Sequence, residues 1–120
     1  MSRDRLTRVL DMLESARLAI ELAQGRTRDD VDQDAMLALA LARAVEIIGE
    51  AAKHVPRSLG DRYPAVPWHA IAGTRDQLIH GYFSVDNDVL WQIVSVELLE
   101  LVPQLEAIIN TEGIEDEEPG

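Results

Sequence analysis

The sequence predicts an all-α fold, an antiparallel bundle of four main helices, and three observations carry that prediction. Apolar residues recur at three- and four-residue steps through most of the chain, the period of a helix buried along one face. No segment alternates apolar and polar residues with a period of two, and Asn-Gly hairpin turns and internal repeats are missing, so a sheet is not expected to organise the fold. At 120 residues the chain has the length of one domain, and such a domain buries more than half of its unfolded surface without disulfides or metals.

The first helix is expected from Asp4 to Gln24, where Leu6, Val9, Leu10, Leu13, Ala16, Ile20 and Ala23 keep to one face and Gly25 stops the run. The polar segment after it is rich in aspartate, and Asp30 or Asp32 can cap a second helix running from Asp32 to His54. That helix is apolar around most of its circumference, as a central helix packed on several sides must be. Its polar residues Arg43, Glu46, Glu50, Lys53 and His54 form one stripe, and Gly49 among bulky neighbours marks a close approach by another helix. The stripe reads either as a solvated, ion-paired face or as a face on which Glu46 or Glu50 lines a functional groove.

Prolines at 56, 64 and 67 with Gly60 make the next stretch a connection holding at most one helical turn. From Pro67 a third helix of about four turns is expected, with proline suited to its first position and Gly81 to its end. Ser84 or Asp86 can cap the last helix, whose apolar positions run from Val89 to Ile109 and which Pro103 should kink or restart. Residues 1–110 are thus the helical domain. Residues 111–120, short and acidic with no apolar anchor, are expected to be a disordered tail.

Composition narrows the chemistry. Without cysteine there are no disulfides, thiolate metal sites or cysteine nucleophiles, and a reducing, cytoplasmic setting is expected. The charged N-terminus is no signal peptide, and no run reaches the roughly 18 uncharged residues of a membrane span, so no membrane partner is expected. A formal charge of −11 argues against tight nonspecific binding along a polyanion. Basic residues are nearly all arginine, whose flat fork matches phosphate, so a local cleft with a few arginines would have to do that work.

Chemistry concentrates in P-W-H-A-I-A-G-T-R-D-Q-L-I-H-G-Y-F-S-V-D, residues 67–86. On a continuous helix Trp68, Arg75 and Tyr82 share one stripe, and Asp76, four residues before His80, can bond one imidazole nitrogen and fix its tautomer. Arg75 and His80 fall about 140° apart around such a helix, so a second copy related by a two-fold axis is the simple way to complete a site. The plain alternative for the pair is an interhelical ion pair. His54 and His69 have no metal-ligand spacing, and no metal site is expected. Gly60 and Gly73 fit no phosphate-loop fingerprint, Ser58, Ser84 and Ser95 lack a nucleophile elbow, and Trp68 and Trp91 read as core.

The stretch R-D-Q-L-I-H-G-Y, residues 75–82, resembles the RxxxxHxY signature of the HepT-like toxins, a branch of the HEPN superfamily of all-helical ribonucleases. The block from Ala44 to Ala52 is similar to the helix that precedes the signature there. In that family the residue after the arginine is polar, often Asn and sometimes Asp or His, so Asp76 is an allowed variant. The resemblance implies a homodimeric, metal-independent endoribonuclease without cofactor, leaving 2′,3′-cyclic phosphate and 5′-hydroxyl ends on RNA. In such an enzyme His80 handles protons, Arg75 holds the phosphate and Asp76 orients the histidine. It also implies a toxin whose partner is a nucleotidyltransferase antitoxin that transfers AMP to Tyr82. The competing reading is a noncatalytic helical subunit of a minimal nucleotidyltransferase, its arginine and tyrosine only gripping nucleotide or partner.

Overall fold

A computed structural model describes residues 2–80 and 84–117. Its helices are α1 Ser2–Ala23, α2 Arg28–Gln33, α3 Ala35–Lys53, α4 Arg57–Asp61, α5 Trp68–Ala72 and α6 Thr74–Leu78. A two-residue ladder of β1 Ile79–His80 and β2 Ser84–Val85 follows, then α7 Asn87–Gln92, a π-helical turn Ile93–Glu97 and α8 Leu98–Glu117. The main rods are α1, α3, the broken pair α5–α6 and the run from α7 through α8, which is the expected helical bundle.

The rods pack mostly around side chains that the helical period had placed inward; Met12 joins them, while Leu10, expected on that face, is 41% exposed. Val9 and Met12 of α1, Leu41 of α3, Leu78 of α6, Leu90 of α7 and Leu105 and Ile108 of α8 are fully buried. Neighbouring rods run antiparallel: Arg5 reaches Glu112 and Arg17 reaches Glu106 between α1 and α8, while Arg8 and Asp11 of α1 share a groove with Glu50 and His54 near the end of α3. Gly25 ends α1 with φ 76°, a left-handed conformation that glycine takes without penalty. Gly49 is the contact point expected of it, since a Cβ there would lie 3.2 Å from the Ile71 carbonyl oxygen of α5.

The start of the second helix differs from expectation. Thr27 and Asp30 form a reciprocal capping box that opens the separate short helix α2, and α3 is capped by Asp34, whose carboxylate accepts the Leu37 N–H at 3.1 Å. The cap expected at Asp30 or Asp32 therefore falls at Asp34, and Thr27 caps an additional short helix, because the extended residue Asp34 interrupts the segment where one helix was anticipated. At the other end Asp86 caps α7 as expected, accepting from the N–H groups of Asp88 and Val89. Pro103 lies inside α8 without a restart, and the irregularity falls earlier, at the π-helical turn, where the Leu98 N–H reaches back to Ile93. The carbonyl that Pro103 cannot engage belongs to the exposed Leu99, where water can take it.

α8 also continues past the boundary expected at residue 110. Glu112 has no exposed surface; its carboxylate accepts from the Tyr63 hydroxyl and from Arg5 and Arg62 guanidinium groups, the first two through bonds of 2.5 and 2.6 Å. These partners turn an acidic position into a packed one. They also hold its carboxyl below the usual range, the Tyr63 bond most of all, while burial and the Glu112 carboxylate push the Tyr63 phenol up.

Candidate functional site

The expected four-turn helix from Pro67 to Gly81 is broken twice. Gly73, at φ −88° and ψ 1°, separates α5 from α6, and the Thr74 hydroxyl back-bonds to the Ala70 carbonyl at 3.2 Å, a bond that bends helices. At Leu78 the helix ends altogether. Ile79 is extended, with φ −103° and ψ 119°, and β1 pairs antiparallel with β2 in the register Ile79 to Val85 and His80 to Ser84. The Asp86 N–H closes the corner by bonding the Leu78 carbonyl at 2.8 Å. A carbonyl left open by the end of the helix is thus satisfied from the far side of the ladder.

This corner corrects the helical geometry assigned to the signature. Asp76 and His80 are not one turn apart on a shared face, because no helical turn joins them, and the 140° separation of Arg75 from His80 around one cylinder does not apply either. Arg75 and Asp76 lie exposed on the last turn of α6, and the chain leaves that turn directly into the strand that carries His80. Tyr82 and Gly81 lie outside the described residues.

The base of the ladder is clamped to the body of the protein. Arg28 of α2 donates to Asp88 at 2.7 Å and pairs with Asp32, and Asn87 donates to Asp32 at 3.0 Å, so α2 grips the first turn of α7 just after β2. The Asn87 bond and then Arg28 hold the Asp32 carboxyl below its ordinary value. On the other side, Trp68 ties α5 to the preceding connection, its indole N–H shared between the Gly60 and Tyr63 carbonyls at 3.1 Å each. That is the structural role expected of Trp68, and Trp91 likewise packs partly buried against the core.

Packing of α5–α6 on α3 defines two flanks. With Gly49 facing α5, Val45 and Ile48 turn to one side, where they form an apolar groove of about 300 Å³ with Ile71, Thr74, Ile93 and Leu101. Arg75 turns the other way: about 100° per residue puts Thr74 and Arg75 on opposite sides of the buried Leu78. The same rule carries Glu46, Glu50 and Arg43 to the opposite side of Gly49 from the groove. This apolar groove is therefore not the cleft that serves Arg75. Glu46 is half-buried on the Arg75 flank, whereas Glu50 is exposed and engaged with Lys53 and His54 at 3.8 and 3.6 Å.

Most arginines are committed inside the protein. Arg5, Arg8, Arg17, Arg26, Arg28 and Arg62 each pair with carboxylates. Arg43, Arg57 and Arg75 are exposed and make no hydrogen bond or ion pair with another described residue. Arg43 was legible in the sequence only as a member of a polar stripe; its uncommitted state requires the contacts. Among the described residues no group of three or more His, Asp or Glu side chains is placed to hold a metal ion, and no helix is long and apolar enough to cross a membrane.

A family model described as HepT-like, ribonuclease HepT-like, matches residues 12–110. The chain is 38% identical over 101 residues to a protein of Caldanaerobacter subterraneus subsp. tengcongensis that carries a provisional RNase name, covering 84% of this chain and 90% of the relative. A protein of Methanocaldococcus jannaschii, also provisionally named an RNase, is 36% identical over 107 residues, 89% of this chain and 88% of its own. A Thermococcus cleftensis protein named "Probable ribonuclease HepT" is 40% identical over 102 residues, covering 82% and 93% of the two chains. No solved structure matches the chain.

Proposed function

Because this chain belongs to the HepT-like ribonuclease family, we propose that it is a metal-independent endoribonuclease acting as the toxin of a toxin–antitoxin pair, with Arg75 and His80 as the reacting residues. The observation that supports this most is the corner at Leu78–Ile79. It sets Arg75, which makes no hydrogen bond or ion pair with another described residue, on the last helical turn immediately before the strand of His80.

The chemistry asked of these residues is transesterification. The 2′-hydroxyl loses its proton to a base as its oxygen bonds to phosphorus, the bond from phosphorus to the 5′-oxygen breaks, and the leaving oxygen takes a proton. Products are a 2′,3′-cyclic phosphate and a 5′-hydroxyl. An imidazole near neutral pH can accept and return protons, and a guanidinium fork can neutralise charge on the pentacoordinate phosphorus. Asp76, exposed beside Arg75, is given the role of orienting the imidazole in this proposal. Two copies related by a two-fold axis pool both sets of residues in one groove.

Tyr82, two residues beyond His80, is the acceptor of AMP from a nucleotidyltransferase antitoxin in this proposal. A phosphodiester beside Arg75 would occupy the phosphate site and its bulk would exclude RNA. The test of the reaction is cleavage of RNA by purified protein in excess chelator. Cleavage should persist and should be lost in His80→Ala. Dependence on added metal, or undiminished cleavage by His80→Ala, would remove the mechanism.

A further inference from the structure

Arg43 makes no hydrogen bond or ion pair with another described residue, and its position relates it to Arg75. Ile71 sits against Gly49 and Thr74 shares the apolar groove with Val45, so α5–α6 runs antiparallel to α3. Continuing that register sets the last turn of α6 level with the turn of α3 that holds Arg43. Both arginines lie on the flank away from the apolar groove, with Glu46 between them. On its far side Arg43 lines a shallow groove between α3 and α1 with Arg8, Asp11 and Glu50. A strand leaving Arg75 across the open face of α3 would therefore meet Arg43 next.

We infer that Arg43 is a second phosphate-binding residue, gripping the RNA backbone at the phosphate adjoining the one held by Arg75, and this rests on the ribonuclease reading above. The other arginines along such a path are unsuited. Arg8 is paired with Asp11 at 3.0 Å, and Arg57 follows the far end of α3, away from α6. The Lys53 ammonium lies 3.8 Å from the Glu50 carboxylate, which lowers its repulsion of a phosphate. Glu46 makes no ion pair within 4.0 Å to any described residue and opposes the anion, so its neutralisation should tighten binding.

Two measurements test the assignment. The first is binding of an uncleavable 2′-O-methyl hexanucleotide, followed by fluorescence anisotropy over a series of salt concentrations. Arg43→Gln should weaken binding about tenfold, the size of one charge-assisted contact, and lower the slope of log affinity against log salt by about 0.7, the value for one phosphate contact on a single strand. Arg57→Gln makes the same charge change in the wrong place and should keep the wild-type slope, while Glu46→Gln should bind more tightly. The second is cleavage, where Arg43→Gln should raise KM for a tetranucleotide about tenfold more than for a dinucleoside monophosphate, which has no adjoining phosphate.

Equal salt slopes for wild type and Arg43→Gln would overturn the inference, as would equal losses in Arg43→Gln and Arg57→Gln. A change of sedimentation mass in Arg43→Gln would also overturn it, by placing the residue in a protein contact. If the wild type binds the hexanucleotide with an Arg43-dependent slope yet cleaves no RNA, the ribonuclease reading fails and the phosphate contact stands.

Discussion

Replacing Glu112 by Gln tests whether the end of the chain is part of the fold. The carboxylate has no exposed surface and accepts from Tyr63, Arg5 and Arg62, so the change puts an amide NH₂ where donors converge. A hydrogen bond to a charged group contributes roughly 1.5–3 kcal/mol, and breaking a fully buried ion pair costs roughly 3–5 kcal/mol. Here the Arg5 and Arg62 side chains are 28% and 51% exposed and can turn to water, which discounts their share. The expected loss is therefore about 2–3 kcal/mol at pH 7, set mainly by the Tyr63 bond and the sealed carboxylate. For a domain of this size that is a fall in Tm of roughly 8–12 °C.

Acid should erase the difference. Because the folded-state pKa of Glu112 is lowered, its contribution is complete above the unfolded value of about 4.3 and is lost as pH falls through the folded value. Urea unfolding followed by circular dichroism should thus show a gap between wild type and Glu112→Gln that is constant at neutral pH and narrows below about pH 4. A chain ended at Asn110 should lose at least as much as Glu112→Gln. A variant within about 0.5 kcal/mol of wild type at pH 7, or a gap unchanged on acidification, would refute the reasoning.

Gly49→Ala should fall within about 1 kcal/mol of wild type, since a helix-propensity gain of about that size is set against a contact of 3.2 Å to the Ile71 carbonyl. Gly49→Leu cannot fit and should lose more than about 2 kcal/mol; thermal melts that find it as stable as wild type would remove the close approach from the account. Sedimentation of the wild type should give a homodimer, and an active monomer would show that one copy completes the site. Expressed with a neighbouring nucleotidyltransferase, the intact protein should gain the mass of one AMP, absent in Tyr82→Phe; neutralisation without that mass would rule Tyr82 out as the acceptor.

The features legible in the sequence are those set by neighbours along the chain. The long rods α1 and α3 and the run into α8 follow from apolar spacing, Gly25 and Gly49 from the absence of a side chain, and the cap at Asp86 from its place before an apolar run. What could not be read depends on distant partners. The helix ends at Leu78 because Asp86, beyond the ladder, supplies an N–H to its carbonyl, and nothing between residues 67 and 80 announces that bond. Glu112 looks like tail until Arg5, 107 residues away, and Tyr63, 49 residues away, are seen around it. Thr27 was recoverable in principle, since Thr-x-x-Asp is a weaker form of the capping box, but the aspartates that follow it offered competing caps.

The charge of −11, the strongest argument in the sequence against an RNA enzyme, changes meaning once each arginine is placed. Net charge governs attraction at long range, beyond about a Debye length of roughly 8 Å in physiological salt, whereas a phosphate in contact responds to the guanidinium it touches. Six of the ten arginines are held by carboxylates of the same chain, which removes them from any substrate and accounts for part of the acid as well. Arg43 and Arg75 remain on one flank of α3 and α6, beside the corner that leads to His80. On the proposed reading an RNA strand is engaged through a few contacts at one place and repelled elsewhere. Affinity for long RNA should rise little with length, and selection of the cleaved bond falls to the geometry at the corner.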